Sequence, residues 1–208
     1  MAGAFLSFEG IDGSGKSTQS RMLADALRGA GHTVVLTREP GGSAGAEDIR
    51  RLVLEGAADR WSTETELLLF TAARRDHVEK TIRPALARGD VVICDRFADS
   101  TRIYQGLTRG DLRVTVDRLH DLMIGIDPDL TFLIDIDPAL GLSRAVARAG
   151  AELRFEDMGL ALQQRARDGF LALAAANAAR VKVVSGAHPP DVVASHVLAI
   201  AMAHLARG

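Results

Sequence analysis

Short apolar runs alternate with longer segments whose apolar residues recur at helical spacing, and this alternation organises the chain. The runs Ala4–Phe8, Thr33–Thr37, Val91–Asp95, Leu130–Asp135 and Val181–Val184 have strand length and read as buried strands. Helix-length segments follow them: Lys16–Arg28, Ala44–Glu55, Thr63–Arg88, Leu112–Ile124, Pro138–Ala149, Asp157–Ala178 and Asp191–Ala206. Boundary chemistry agrees. Gly29 and Gly31 end the first helix, Thr63 with Glu66 spells a capping box, and Gly89 stops the long helix. Asp137 precedes Pro138 as a cap before a first-turn proline. Strands alternating with helices predict an α/β fold, a five-stranded parallel sheet flanked by helices as a three-layer sandwich. No repeat, low-complexity tract or linker divides the chain, so residues 1–208 are expected to form one domain.

The first strand candidate runs into Gly10-Ile11-Asp12-Gly13-Ser14-Gly15-Lys16-Ser17-Thr18, with a helix candidate directly after it. Glycines at this spacing let backbone N–H groups converge on phosphate oxygens. Lys16 can reach the outer phosphates, Ser17 can sit on Mg²⁺, and the helix adds its positive N-terminal dipole. This is the phosphate loop of the P-loop NTPase type, and it predicts a nucleoside triphosphate ligand. In sheets of this class ligands gather beyond the carboxyl ends of the strands. That rule directs attention to Arg38–Gly42, Asp95–Ser100 and Asp135–Pro138.

Asp95 closes an apolar run and can help organise Mg²⁺, while Arg96 can clamp a phosphate with its planar fork; the plain alternative is a surface ion pair. Arg38-Glu39-Pro40-Gly41-Gly42 is either an ordinary Pro-Gly turn or part of an acceptor site, with Glu39-Pro40 a candidate cis bond. Phe70 and Arg74 are four apart on one helical face, so a ring to stack on a base and a donor for its edge are available together. Core packing is the plainer reading of Phe70, and snorkelling of Arg74. Arg144, Arg148 and Arg154 gather around Gly150 in a stretch, about 141–157, that reads either as a solvated basic face or as a mobile lid closing over the triphosphate. Asp12 is out of character in a phosphate loop. It makes sense if its carboxylate accepts from a hydroxyl of a second substrate.

Totals narrow the class. A formal net charge of −2 argues against a general polyanion surface, so no nucleic-acid partner is expected. One cysteine, Cys94, excludes an internal disulfide framework and suits a reducing compartment. No apolar run reaches membrane-spanning length, and Val192–Leu205 reads as a docked terminal helix. With no leader-like N-terminus, a cytoplasmic protein is expected. The six histidines show no metal-ligand spacing, and Trp61 and Cys94 read as packing residues.

Taken together the chain resembles the bacterial thymidylate kinases, which phosphorylate dTMP to dTDP for dTTP synthesis. The similarity rests on Glu9–Thr18, Arg38–Gly42, Leu69–Arg74, Asp95-Arg96-Phe97 with Ser100–Gly106, Pro128–Thr131 and Arg154-Phe155-Glu156. The resemblance implies ATP and dTMP as substrates, Mg²⁺ as cofactor and a homodimer, formed through the Thr63–Arg88 helix. It implies that Gly10 to Thr18 and Arg144 serve ATP, with Ser17 and Asp95 at the metal. It also implies that Phe70 stacks on thymine, Arg74 and Thr101 meet its edge, Tyr104 lies against the sugar and Asp12 takes the 3′-hydroxyl. Arg96, with Arg38 or its neighbours, would hold the acceptor phosphate. Glu39, Pro40, Ser100 and Gln105 complete the implied acceptor site. Positions 13 and 14 lack arginine, so the lid's Arg148 and Arg154 would supply the catalytic cation beside Lys16, Asp95 and Arg96. Val183–Ala187 would line the adenine site. Two departures stand out: Ile103 where a small residue is usual, expected to narrow the sugar pocket, and Leu153 where an acidic residue is common. A kinase for another nucleoside monophosphate, or a nucleotide-gated regulatory module, remain the alternative readings.

Overall fold

The computed structural model describes residues 3–57, 59–108, 111–147 and 159–206. Five strands, β1 (Ala4–Glu9), β2 (Val34–Arg38), β3 (Val91–Asp95), β4 (Leu130–Asp135) and β5 (Val181–Ser185), form one parallel sheet in the order β2-β3-β1-β4-β5. Helices cover both faces, as the strand–helix alternation predicts. They are α1 (Lys16–Gly29), α2 (Ala44–Leu54), α3 (Thr63–His77), α4 (Arg83–Ala87), α5 (Ala98–Ile103), α6 (Arg113–Met123), α7 (Pro138–Ala147), α8 (Gly159–Ala176) and α9 (Pro190–Leu205).

The central strands are apolar on both faces because each face carries its own cluster. On one, Leu6, Phe8, Ile93 and Phe132 pack against Leu23 and Leu27 of α1 and Val193 and Val197 of α9. On the other, Phe5, Val92 and Cys94 meet Val78, Ile82 and Phe97, while Ile11, Leu133 and Phe170 form a third cluster under α8. The apolar terminal segment is thus a docked helix, and no helix among the described residues is long and apolar enough to cross a membrane.

Three local features differ from expectation. The cap of α3 is Ser62, whose Oγ accepts from Thr65 N at 3.1 Å, one residue before the expected Thr63–Glu66 box. Ser is the better cap, and Glu66 is wholly buried. The long Thr63–Arg88 helix contains five π-helical residues, Val78–Ile82, between α3 and α4. Pro84 explains this: it has no N–H for Lys80 O, and its ring would crowd that carbonyl in an α-helical register. Finally, α5 and the π-helical turn Tyr104–Thr108 behind it have no counterpart in the sequence reading. Every residue of α5 is buried, so no apolar–polar period announces it.

Register brings the functional loops to one edge. Phe8 pairs with Asp95 and Asp95 with Arg38, so β1, β2 and β3 end level. Arg96 N donates to Phe8 O at 2.9 Å and Glu39 N to Asp95 O at 3.0 Å, extending the ladder one residue into each loop.

Candidate active site

The loop after β1 is shaped by two glycines that no other residue could replace without strain. Gly13 has φ 75°, and a Cβ there would sit 1.9 Å from Gly141 O at the start of α7; Gly15 has φ 99° and immediately precedes α1. Ile11 anchors the loop from beneath, buried in the cluster with Leu133 and Phe170, so its side chain is a core group while its backbone stays in the loop. Lys16 is buried and donates to Ile11 O at 2.7 Å. Burial, and then Arg96, push its ammonium down to about 8, with Asp12, Asp95 and Glu9 pulling the other way.

Ser17 Oγ donates to Asp95 Oδ2, while Asp95 Oδ1 is buried without a hydrogen-bond partner among the described residues. A hydroxyl and an orphaned carboxylate oxygen beside a phosphate loop are all-oxygen donors of the kind Mg²⁺ takes. The residues therefore fit the ion.

Arg96 stands at the join of two sites. Its φ of 70° is the left-handed region that non-glycine residues avoid, at a cost of about 1–2 kcal/mol. Its guanidinium pairs with Asp12, donates to Ser100 Oγ at 3.0 Å and lies 5.4 Å over the Tyr104 ring. Asp12 is thereby not left to repel an anion. Burial opposes its charge, yet Arg96 and Lys16 outweigh burial and hold it below the usual carboxylate range.

Behind Arg96, Glu9 caps α5 from across the sheet. Its Oε1 accepts from Phe97 N at 2.8 Å and Ser100 N at 3.2 Å, and its Oε2 from Ser100 Oγ at 2.6 Å. Complete burial, with Asp99 nearby, raises Glu9 to about 7 despite these donors and Arg96. The unfolded chain releases this proton near the ordinary carboxylate value. Over pH 5–7 the unfolded state therefore binds fewer protons, and stability falls as pH rises. Asp12, Asp117 and Asp127, all lowered, titrate below that window. Thermal melts should show wild type losing about 3–8 °C relative to Glu9→Gln between pH 5 and 7.5. A difference curve flat over that range would place the Glu9 titration elsewhere.

The second cleft lies beside Arg96. Asp12, Glu39, Pro40, Phe70, Arg74, Arg96, Ser100, Thr101, Tyr104 and Gln105 line it, ten residues drawn by separate sequence signals from the loops after β1, β2 and β3, from α3, from α5 and from the π-helical turn behind it. Phe70 lies on this wall rather than in the core. Arg74, 5% exposed, donates through Nε to Glu39 Oε2 at 2.7 Å and through Nη2 to Thr101 Oγ1 at 3.0 Å. Glu39-Pro40 is cis.

Arg38 is not part of the wall. It projects to the surface and donates to both carboxylate oxygens of Glu47 at 3.1 and 3.2 Å, the natural partner for an exposed arginine one turn into α2. Arg50 and Leu54, also on α2, line the cleft in its stead, with Arg50 Nη1 donating to Pro40 O at 2.6 Å. Their i, i+4 spacing on a helix that follows the Pro-Gly turn was the signal available for them. Phe97 also lines the cleft, under Arg74, its ring centroid 5.1 Å from the guanidinium carbon. Ile103 does not narrow the pocket; it is wholly buried beneath α8, in one cluster with Ala166 and Phe170. Arg144 Nη1 donates to Gly186 O at 3.1 Å, tying α7 to the turn after β5. Arg148, Leu153 and Arg154 lie outside the described residues, as does most of the 141–157 stretch.

A phosphate loop and a second, arginine-walled cleft that meet at one guanidinium are what direct phosphoryl transfer between two anionic nucleotides requires. The fold and this pairing define the class: an ATP-dependent nucleoside monophosphate kinase. Comparison narrows it. The thymidylate kinase family model matches residues 8–197. A thymidylate kinase of Ruegeria pomeroyi is 68% identical over 99% of this chain and 97% of its own length. One of Dinoroseobacter shibae is 64% identical over 95% of each. The crystal structure of thymidylate kinase from Ehrlichia chaffeensis superposes with a TM-score of 0.79 at 37% identity, covering 96% of this chain and 99% of that one. The chain belongs to the thymidylate kinase family.

Proposed function

We infer that this chain transfers the γ-phosphoryl group of ATP to dTMP, giving dTDP, a step toward dTTP. The observation that carries the reading is Arg96, held at once by Asp12 of the phosphate loop and by Ser100 of the second cleft. A cation shared by both sites is where two polyanions must meet.

The acceptor oxygen belongs to a phosphate, largely dianionic near neutral pH because its second pKa is about 6. No strong general base is needed; the problem is repulsion. Gly10 to Thr18 would wrap the triphosphate with backbone N–H groups, and Lys16 would offset its outer charge. Ser17 and Asp95 would hold Mg²⁺, which when bound neutralises charge on the phosphates. Arg96, with Arg50 in the role expected of Arg38, would orient the acceptor phosphate. Phe70 would stack on the base, and Arg74 with Thr101 would meet the acceptor atoms on its edge. Tyr104, Gln105 and Pro40 would bound the sugar side, with Asp12 accepting from the 3′-hydroxyl. The bond from Arg144 to the Val183–Ala187 turn supports an adenine site there. We read 1–208 as one kinase domain whose lid, about 141–157, brings Arg148 and Arg154 onto the transferred group and excludes water.

Acceptor profiling tests the reading. With ATP and Mg²⁺, dTMP should give the highest kcat/KM, with dUMP lower by roughly 10–200-fold, since one methyl in an apolar pocket is worth only ~1–3 kcal/mol. Preference for UMP or CMP, or ATP turnover without any monophosphate, would overturn it. Exposed Leu68 on α3 and Leu122 and Met123 on α6, with Arg75 Nη1 bonded to Met123 O at 2.7 Å, offer an apolar face for a homodimer. Sedimentation at the mass of one chain would count against that assembly.

A further inference from the structure

Behind the wall that faces the base lies a set of buried side chains that the mechanism above does not use. His77 is fully buried on α3, three residues past Arg74 and so on the same helical face. Its Nδ1 is 3.0 Å from Glu39 Oε1 and its Nε2 is 2.8 Å from Thr37 Oγ1. Glu39 Oε2 accepts from Arg74 Nε at 2.7 Å, and the far side of the same guanidinium is held by Thr101 Oγ1 and Phe97 O. Cys94 Sγ lies within 4.8 Å of the ligand atoms of Glu39 and His77, a grouping that could accept a metal ion by distance alone.

The chemistry of the group argues against a metal. Both carboxylate oxygens of Glu39 are engaged, both nitrogens of His77 are engaged, and Cys94 Sγ donates to Arg96 O at 2.9 Å. Burial also pushes the thiol well up, so the thiolate a metal would need is disfavoured. Arg74 already supplies the countercharge to Glu39. The same contacts describe a relay instead. An ionised Glu39 can only accept, so Nδ1 of His77 carries a proton, and in the neutral ring Nε2 then accepts from the Thr37 hydroxyl. There is no slack in it. A Cβ at Gly42 would lie 2.4 Å from both His77 Nε2 and Thr37 Oγ1, so the turn's backbone closes directly on the pair.

We propose that His77 is a positioning residue for base selection: through Glu39 it fixes the plane of the Arg74 guanidinium and so sets how strictly the cleft demands an acceptor atom on the base edge. This rests on the dTMP kinase reading above. A base with an acceptor at that edge, as in thymine, is favoured; cytosine presents an amino donor there, which a rigid guanidinium rejects. A loosened guanidinium can swing away and discriminate less.

The test compares kcat/KM for dTMP and dCMP in the whole protein, in His77→Leu and in His77→Asn. Leucine fills the space but breaks both links, whereas asparagine keeps an N–H near the Nδ1 position. His77→Leu should narrow the dTMP:dCMP ratio by about tenfold, the scale of one hydrogen bond's net worth, through a higher KM for dTMP with KM for ATP unchanged. His77→Asn should keep most of the wild-type ratio. An unchanged ratio in folded His77→Leu, an equal loss on both acceptors, or an asparagine variant as unselective as the leucine one would each overturn the proposal. If His77→Leu does not fold, Thr37→Val, which removes only the hydroxyl behind the ring, is read the same way: a ratio narrowed twofold or more supports the relay and an unchanged one sinks it. Wild-type protein inactive on dTMP would take down the functional reading and this proposal together; normal wild-type selectivity with unresponsive variants would take down this one alone.

Discussion

Arg96→Ala should lower kcat/KM for dTMP by roughly two to three orders of magnitude, the usual loss when one preorganised donor to a developing or accepting anion is removed. The site gives three reasons. The guanidinium is the shared element of both clefts, bonded to Asp12 on one side and Ser100 on the other. Its removal leaves Asp12 facing the acceptor without its main countercharge, and burial then works against that carboxylate. Its backbone, held at φ 70°, stays where it is, because the N–H to Phe8 O bond and the Glu9 cap on α5 do not involve the side chain. The protein should therefore remain folded and bind ATP with less than about fivefold change, by calorimetry and thermal melts. Arg96→Lys restores charge without the planar fork and should recover only part of the loss. Near-normal turnover in the alanine variant would remove Arg96 from the mechanism.

Lys16→Ala should be comparably severe, on the order of 10³ in kcat, while leaving dTMP binding largely intact. Lys16 is 6% exposed, so its charge acts at low dielectric, which is why its ammonium sits as low as about 8. The sign of the pH dependence follows. Below about 8 the free protein carries the charge that draws the triphosphate, and above it the charge is lost. ATP affinity of the wild type should thus fall as pH rises through 8, with proton uptake on binding there, and the alanine variant should lack that step. Calorimetry in buffers of different ionisation enthalpy reads the proton directly. A wild-type profile flat from pH 7 to 9 would mean that Lys16 keeps its proton throughout.

Much of this was legible in one dimension because it depends on local rules. Parallel strands buried on both faces read as near-continuous apolar runs, and β1, β3 and β4 do: apart from their terminal acids the polar interruptions are Ser7 and Thr131, which hydrogen-bond to each other at 2.8 Å. The phosphate loop is a contiguous piece of backbone whose glycines act through their own φ values, so spacing alone announces it. Phe70 and Arg74 share a face by helical period, and the Asp137 cap needs only its next three residues.

Groups whose partner is far along the chain were decided by tertiary structure. Glu9 caps α5 from 88 residues away, so that helix carries no start signal of its own. Arg38 and Arg50 look alike as exposed cations in a sequence; only the docking of α2 on the turn after β2 sends one to Glu47 and the other to the cleft. His77, by spacing an unremarkable helical residue, becomes part of the site only because α3 lies against the end of β2, where Thr37 and Glu39 flank its ring. Backbone geometry is set by near neighbours and can be read from them. Desolvation and charge pairing depend on what the fold brings within a few ångströms, and no residue order states that by itself.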